Sequence, residues 1–453
     1  MNILIPKNLT FLLIISTFLF FSSCKKDKNT TSNLDADLEE VLEAASAGVG
    51  KSFFAFPASN DFSNIPQDPL NPLTTEKVNL GKLLYHETGL GLDPKNEIGK
   101  QTYSCASCHF ASAGFQAGRF QGISEGGVGF GVNGEGRQKG ALYADADLDV
   151  QPIRTPSTLN IAYQKNTLWN GQFGATGVNE GTENLWTVGT PKEKNFLGFE
   201  GVEIQAIAGS GVHRLKADFQ FLDSTGYVAL FDSAFPDVPQ NQRYTLETMG
   251  LAIAAYERTL YASEAPFQKW LNGDNNALTE QEKMGAILFF DKANCTSCHT
   301  GPALNTMEFH AIGMNDLFDC PEEIFNADAT SGANLGRGDF TGDAADNYKF
   351  KVPQLYNLTD SPFFGHGSSF RTIRDVIAYK NNAIAQNSVV PNSQLSTDFV
   401  PLNLTAEEID NLTAFIENGL YDPNLTRYEP ESVLSGFCFP NNDPLSRDEL
   451  GCN

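Results

Sequence analysis

Two short segments of this chain share the pattern C-x-x-C-H. The first copy contains Cys105, Cys108 and His109, and the second contains Cys295, Cys298 and His299. This pattern is typical of covalent attachment of c-type haem. Two thiols at this spacing can form thioethers with one porphyrin, and the adjacent histidine then lies under the iron as its proximal ligand. The sequence therefore predicts two covalently bound haem c groups, with His109 and His299 as iron ligands.

Two pairs of cysteines can also form disulfides or contribute to a zinc site. A thioredoxin-like C-x-x-C motif needs no histidine after it and would seldom occur twice in one chain. A zinc site would require the four thiols to come together, and neither following histidine would then be expected. Haem attachment accounts for all six residues, so we favour it over both alternatives.

Three further cysteines lie in the second half of the chain, at Cys320, Cys438 and Cys452. An oxidising compartment would permit a disulfide between Cys438 and Cys452, which would close a loop near the C terminus. Cys320 would then be unpaired. The sequence does not decide which of these three cysteines form a pair.

Residues 1–23 are typical of a bacterial export signal. Lys7 is the only charged residue there, and a mostly apolar run extends from Phe11 to Phe21, which is short for a membrane span of about 20 residues. Small residues precede Cys24, as in a lipobox, so we predict that Cys24 becomes a lipid anchor and that the protein faces the periplasm. Ordinary secretion with an incidental cysteine is the alternative. The polar, acidic residues 24–47 are predicted to form a tether, with room for a short helix near its end.

The overall charge of the chain limits its partners. Lys and Arg number 31 and Asp and Glu number 55, which gives a formal charge of −24. Such an acidic protein is not expected to bind nucleic acid, because the phosphate backbone would repel it. It is better suited to basic partners, which its field attracts at low salt.

Three segments begin with a threonine that can cap a helix and continue with apolar residues at helical spacing. They begin near Thr74, Thr279 and Thr405, and the first two precede the haem motifs and contain Gly81 and Gly285. Few segments alternate between apolar and polar residues as exposed strands do. The sequence therefore predicts a mainly α fold with long loops and little β structure.

The repetition of helix and motif predicts two cytochrome c-like haem domains. We place them at residues 48–270 and 271–425, followed by a C-terminal loop at 426–453 that could carry the disulfide. Two such domains in one chain suggest that the two irons exchange electrons.

The two halves differ in the ligands that they offer to the second face of each iron. Between Phe110 and Val212 there is neither histidine nor methionine, which favours an open face on the first haem. The second half offers several strong ligands: Met307, His310, Met314, Tyr356, His366 and Tyr379. A strong sixth ligand makes an electron carrier, whereas an open face makes a site for peroxide or oxygen.

The chain resembles the bacterial di-haem cytochrome c peroxidases and the related di-haem oxidases that mature a tryptophan-derived cofactor. The resemblance covers about Asn71 to Leu420 and rests on the segments LGKLLYHETGL, SCASCH, RTPSTLN, LWNGQFGA, LTEQEKMGAILFF, CTSCHTGPALN, FKVPQLYNLTDSPFFGH and TIRDVIAYKNN. It implies that the His109 haem is the peroxidatic centre and that the His299 haem accepts electrons from an external donor. It also implies that Trp169 relays electrons between the haems, whereas the alternative is a core aromatic residue.

Peroxide cleavage needs a group that moves a proton from the near oxygen to the far one. By resemblance, a distal glutamine of the family matches Gln205, but a distal glutamate has no clear match. An insertion between Gly174 and Gly201 and the unusual His213 disturb the alignment here. Glu203 or His213 could take the acid/base role. The alternative for His213 is a surface histidine.

This chain departs from the family pattern at two metal-related positions. Many family peroxidases carry a histidine after the first motif that blocks the iron until the second haem is reduced. This chain has none there, so we predict a site that needs no reductive activation. A calcium ion in the family is held partly by an asparagine. The matching residue here is Arg154, which argues against calcium and could pair with a haem propionate instead.

The sixth ligand of the His299 haem is methionine in most of the peroxidases and tyrosine in the oxidases. Depending on the alignment, the matching position in this chain is Tyr379 or Lys380. Neither alignment places a methionine there, and the sequence leaves the ligand open between these two residues and a methionine from elsewhere. The ligand matters because methionine raises the haem potential, while an anionic or amine ligand lowers it.

The resemblance implies an oxidoreductase that reduces hydrogen peroxide to water. The electrons would come from a small periplasmic cytochrome c or cupredoxin. One alternative is a di-haem oxidase that acts on another small molecule or on a protein. A second alternative is a di-haem electron carrier without catalytic activity.

Overall fold

Helices dominate the computed structural model, which describes residues 33–452. The helices are α1 (Leu34–Ala45), α2 (Thr75–His86), α3 (Gly201–Val212), α4 (Phe219–Thr225), α5 (Tyr227–Ala234), α6 (Gln240–Arg243), α7 (Leu246–Glu257), α8 (Pro266–Leu271), α9 (Glu280–Phe290), α10 (Arg337–Thr341), α11 (Ile373–Asn382), α12 (Ala406–Ala414) and α13 (Pro444–Leu450). The short strands β1 (Gly127–Val128) and β2 (Gln138–Lys139) form one antiparallel pair, and β3 (Phe309–His310) and β4 (Phe350–Lys351) form another. The mainly α fold with little β structure is confirmed.

Three helices begin at the threonines that the sequence indicates. The Thr74 hydroxyl accepts a hydrogen bond from the third residue of α2 at 3.2 Å. Thr279 and Thr405 cap α9 and α12 in the same way, also at 3.2 Å. In both of these, a glutamate three residues on accepts a bond from the backbone N–H of the threonine, which completes a capping box.

Each helix before a haem motif packs closely on a second helix through a glycine. A Cβ atom at Gly81 in α2 would lie 1.8 Å from the carbonyl oxygen of Ala252 in α7. At Gly285 in α9 it would lie 2.0 Å from the carbonyl oxygen of Asn411 in α12. Both halves therefore use a glycine to bring two helix backbones together behind the motif.

The predicted boundary near residue 270 does not separate two folding units. From Leu34 onwards the chain forms one compact unit. Aromatic rings on both sides of the boundary pack together: Phe267 in α8 lies 5.8 Å from Phe290 and 5.3 Å from Phe415, measured between ring centroids. The apolar faces of the two halves therefore bury one another in a shared core, which sequence repetition does not reveal.

The short helix predicted near the end of residues 24–47 forms, but the described part of this segment is docked on the protein and is not a free tether. Residues 34–45 form α1, and Leu38 and Leu42 are fully buried. The Asp35 carboxylate accepts a hydrogen bond from the Trp270 indole at 2.7 Å and pairs with the Lys283 ammonium at 2.6 Å. The low hydrophobicity of the segment hid two apolar residues one helical turn apart, which is enough to dock a short helix.

The C-terminal segment is more ordered than the predicted loop. It contains α13, and a disulfide joins Cys438 to Cys452 as the sequence permits, while Cys320 is buried and unpaired. The Pro440 carbonyl accepts hydrogen bonds from the hydroxyls of Ser104 and Ser107 at 3.1 and 3.0 Å. The disulfide-closed segment therefore supports the first haem motif directly.

Residues 33–452 contain no helix with the length and apolarity needed to cross a bilayer. The predicted export signal and Cys24 lie outside the described residues.

Candidate active site

Both motifs hold their histidine in the same way. The Nδ1 atom of His109 donates to the carbonyl of Phe115 at 3.3 Å, and that of His299 donates to the carbonyl of Leu304 at 3.0 Å. Fixing Nδ1 on a carbonyl sets the tautomer and leaves Nε2 as the atom that can bind a metal. Burial lowers the pKa of both histidines to about 4, so both are neutral at physiological pH. The neutral form is the one that binds iron.

One cavity of about 720 Å³ reaches both motifs. Its wall includes residues from each copy, namely Cys105, Cys108, His109, Cys298 and His299. The two motifs are far apart in the chain, but they open onto the same enclosed space. A group bound at one motif therefore shares its surroundings with a group bound at the other.

Two buried cationic side chains in the cavity wall have only neutral partners in the described part of the chain. The Arg154 guanidinium donates to the Gln116 amide oxygen at 2.9 Å and to the Ser361 hydroxyl at 2.8 Å. The Lys351 ammonium donates to the Gln164 amide oxygen at 2.5 Å. Burial lowers the pKa of Arg154 to about 9 and that of Lys351 to about 7. Buried cations are stable when an anion neutralises them, and haem propionates are anions, so these residues fit haem.

His213 lies on the wall of the cavity and belongs to a pair. Its Nδ1 atom is 2.8 Å from the Asp149 carboxylate, which is buried. Burial disfavours the charged imidazolium, but the Asp149 charge outweighs this and raises the pKa of His213 above its usual value. Arg214, its neighbour in sequence, turns away to pair with Glu125. His213 is therefore a half-buried, carboxylate-supported histidine that lines the cavity, and its acid/base role stays a prediction.

Trp169 lines the same cavity and contacts both halves of the chain. Its indole N–H donates to the Arg154 carbonyl at 2.8 Å. Its ring centroid lies 6.5 Å from that of Phe350 and 6.3 Å from that of His366. The Arg154 N–H in turn donates to the His366 carbonyl at 2.8 Å. Trp169 therefore lies where the two halves meet, and its role as an electron relay stays a prediction.

The comparison with known proteins agrees with this site. Residues 75–276 match the family model described as di-haem cytochrome c peroxidase. The chain is 27% identical over 399 residues to the cytochrome c peroxidase Ccp of Escherichia coli K12, which covers 86% of this chain and 69% of that protein. Over these segments the chain resembles the di-haem cytochrome c peroxidase family. It is an oxidoreductase of the cytochrome c peroxidase type, and the family that it resembles implies haem c as cofactor.

A second branch of relatives is similarly close. The chain is 28% identical over 363 residues to the methylamine utilization protein MauG of Methylorubrum extorquens AM1, covering 80% of this chain and 82% of that protein. A crystal structure of a MauG-like protein associated with microbial copper homeostasis has the same fold. It superposes with a TM-score of 0.54 at 23% identity and covers 82% of this chain and 95% of that one.

Helix α3 carries two residues predicted to act on peroxide, Gln205 and Glu203, and only Gln205 lines the cavity. Gln205 lines the cavity, and its buried side-chain oxygen has no hydrogen-bond partner within residues 33–452. Glu203 is fully buried and forms two hydrogen bonds to the Arg258 guanidinium, at 2.7 and 2.6 Å. Residues two positions apart on a helix, such as Glu203 and Gln205, point in nearly opposite directions. The prediction of Glu203 as the acid/base group of this family member is therefore wrong.

Glu257 is a carboxyl of the cavity that sequence reasoning missed. It ends α7, is buried, and one of its oxygens has no partner in the described part of the chain. Burial raises its pKa to about 8, with the charge of Glu203 adding and that of Arg258 opposing. The sequence gives one signal for a buried carboxyl here, because Glu257 directly follows the apolar run Leu251–Tyr256. The adjacent Arg258 hides this signal, since the two residues together suggest an ordinary ion pair.

On the His299 side of this peroxidase fold, α11 separates the two predicted candidates for a sixth ligand. Lys380 lines the cavity, whereas Tyr379 does not, and the Tyr379 hydroxyl donates to the carbonyl of Ile312. Met314 also lines the cavity, but Met307 does not. Burial lowers the pKa of Lys380, against the opposing charges of nearby groups. The structure therefore removes Tyr379 and keeps Lys380 and Met314.

Proposed function

We propose that this chain is a di-haem cytochrome c peroxidase that reduces hydrogen peroxide to water. One observation carries the proposal: the cavity holds a histidine–aspartate pair, His213–Asp149, on the side of His109, and the Nε2 atom of His213 has no hydrogen bond within residues 33–452. Two haem c groups would be held through the motif residues Cys105, Cys108, His109, Cys295, Cys298 and His299. Haem iron, when bound, supplies the redox chemistry that peroxide cleavage requires.

The side chains on the His109 side can move the proton that peroxide cleavage needs. Neutral His213 accepts the proton of the near peroxide oxygen at Nε2 and returns it to the far oxygen, which leaves as water. Asp149 accepts the Nδ1–H bond, keeps Nε2 directed away from the carboxylate and stabilises the imidazolium formed in between. The unpartnered Gln205 amide oxygen is available to orient peroxide or the departing water.

The second half of the chain is proposed to receive electrons from a small cytochrome c or cupredoxin. A formal charge of −24 favours a donor with a basic contact surface. Trp169 contacts both halves and is the proposed relay to the His109 side. Arg154 occupies the position where the family has an asparagine that holds calcium, and its guanidinium would repel a divalent cation, so we propose no calcium site.

The decisive experiment mixes fully oxidised holoprotein with hydrogen peroxide and follows absorbance and EPR. We expect immediate reaction without prior reduction, and a high-spin ferric signal from one haem before mixing. Two low-spin haems and no reaction with peroxide would contradict the proposal and support an electron carrier. In that case His213 would be the sixth ligand, and His213→Ala would create the high-spin signal.

A second assay separates the peroxidase from an oxidase. A reduced cytochrome c is supplied as donor, and its oxidation is measured with and without peroxide. We expect peroxide-dependent turnover with catalytic amounts of holoprotein. Reaction of oxidised protein with peroxide but no donor oxidation would favour an oxidase that acts on another substrate.

We further propose that the protein is lipid-anchored and faces the periplasm. The lipobox-like sequence before Cys24 supports the anchor, and the Cys438–Cys452 disulfide suits an oxidising compartment. Metabolic labelling with a radioactive fatty acid should mark the wild type in the membrane fraction. Cys24→Ser should lose the label and leave the membrane; if it keeps both, the anchor is not at Cys24.

A further inference from the structure

Lys380 has an unusual position for a lysine. It lies in α11 and lines the cavity that also contains His299. In the described part of the chain its ammonium has neither a hydrogen bond nor an ion pair. Its Nζ atom lies over the ring of Phe399, 5.4 Å from the ring centroid. The Asp398 carboxylate also lines the cavity and attracts this ammonium, but it forms no hydrogen bond or ion pair with it. The cost of burying the amine is therefore only partly offset unless something in the cavity binds it.

Other potential ligands at this end of the cavity are already engaged. The ring nitrogens of His310 lie 3.0 Å from the Ser396 hydroxyl and 3.1 Å from the Glu308 carboxylate. The Nε2 atom of His366 lies 2.9 Å from the Asp316 carboxylate.

Met314 is constrained as well. Its sulfur packs on Gly365, where an added Cβ would lie only 2.8 Å from it. Tyr379 does not line the cavity, and its hydroxyl donates to the carbonyl of Ile312. Among the described side chains of this wall, the Lys380 amine is therefore a strong donor without a hydrogen bond or an ion pair.

The anions of a bound haem could also attract Lys380. Arg154 and Lys351, however, already supply two buried cations that lack anionic partners in the described chain. These two cations can pair with two of the four propionates of two haems, so a propionate remains the competing partner for Lys380 that the test must exclude. A neutral amine has a lone pair for iron, whereas the guanidinium of arginine has none that it can offer.

We propose that the Lys380 amine is the sixth ligand of the iron whose fifth ligand is His299. This inference rests on the haem placement of the proposed function but not on peroxide turnover. It makes the two irons unequal: the His299 iron is closed to peroxide, and the His109 side is left for chemistry. An amine ligand also lowers the potential of that haem relative to a methionine ligand.

The test compares holoprotein variants by EPR and near-infrared magnetic circular dichroism, with haem content measured for each. Wild type should show one low-spin ferric haem with the charge-transfer band of amine ligation. Lys380→Arg keeps the positive charge for a propionate but cannot bind iron, so it should lose that band. Lys380→Met should give the band of methionine ligation and a higher midpoint potential. Tyr379→Phe is the matched control from the same helix and should keep the wild-type spectrum.

Three results would overturn the assignment. These are a methionine-type band in wild type, an unchanged low-spin signal in Lys380→Arg, and loss of the wild-type band in Met314→Leu with Lys380 intact. The wild-type spectrum decides even if a variant fails to fold. Failure of peroxide turnover with an intact amine band would instead count against the proposed function alone.

Discussion

The two halves of this chain carry the same C-x-x-C-H motif but surround it differently. Each has a helix that packs through a glycine, a motif in a short turn, and a histidine whose Nδ1 is fixed on a backbone carbonyl. Across the cavity, the first half presents the His213–Asp149 pair, whereas the second half presents the Lys380 amine. The comparison teaches that the attachment side is repeated and that the opposite side decides what each iron can do.

Each half also contains a histidine–aspartate pair, and the two pairs differ in the residues that surround them. His366 bonds Asp316 at 2.9 Å, and Asp316 accepts a further bond from Asn387 at 2.8 Å. The His366 ring stacks on Phe350 with centroids 3.6 Å apart. This pair is held rigidly by packing. Each pair leaves one ring nitrogen without a hydrogen bond in residues 33–452, but His213 has no stacked ring there, and this freedom suits proton transfer.

The largest expected effect comes from removing the histidine that distinguishes the first half. His213→Ala should slow the reaction of oxidised protein with peroxide by about 10²–10⁴-fold, the usual contribution of an acid/base group. Stopped-flow absorbance measures this rate. His310→Gln, a cavity histidine of the second half, is the control and should stay within a few-fold of wild type. An equal loss in both variants would end the claim that the halves differ.

The similarity of the halves is tested at their glycines. Gly81→Leu and Gly285→Leu should each cost about 3 kcal/mol or more, because the side chain meets a helix backbone. Urea unfolding and the yield of folded holoprotein measure the loss. Gly211→Ala, in α3 but with only an ordinary contact at 3.4 Å, should instead stabilise by about 0.5–1 kcal/mol. If only one of the two leucine substitutions lowers the free energy of unfolding, the close helix packing is not repeated in the two halves.

Asp149→Asn sharpens the role of the first-half pair. It should slow the peroxide reaction by about tenfold, the effect of one lost charge-assisted hydrogen bond. His213 acts first as a base, so activity should fall as the pH drops through the pKa of His213. Burial and Arg214 lower this pKa, but the Asp149 carboxylate raises it by more. The asparagine variant lowers that pKa, so its acidic limb should move to lower pH. An unmoved limb would mean that another group, such as Glu257, controls the profile.

The smallest effect is expected at the junction of the halves. Trp169→Phe keeps an aromatic ring but loses the indole bond to the Arg154 carbonyl. The reaction of oxidised protein with peroxide should stay within about twofold of wild type, since the proton-transfer groups are intact. Turnover with a reduced cytochrome donor should fall by more than that. If both rates stay the same, Trp169 is a core residue and not a relay.

The sequence alone determined the features that depend on neighbouring residues. The haem motifs, the threonine caps and the family resemblance are local patterns, and local geometry is enough to make them. The sequence permitted a disulfide between Cys438 and Cys452, but only the structure decided that this pair forms and that Cys320 does not take part. The division into two domains failed because the apolar surfaces of both halves prefer one another to water, and no local pattern records that preference.

Only the tertiary structure decided which polar groups face the cavity. Helix phase turned Glu203 onto Arg258 and left Gln205 facing inward, and it directed Lys380 rather than Tyr379 toward His299. Asp149 reached His213 across a long stretch of chain. A single step along a helix rotates a side chain by about 100°, so an uncertain alignment changes the chemistry completely. Packing of distant segments removes that uncertainty, because only one rotation buries the apolar face.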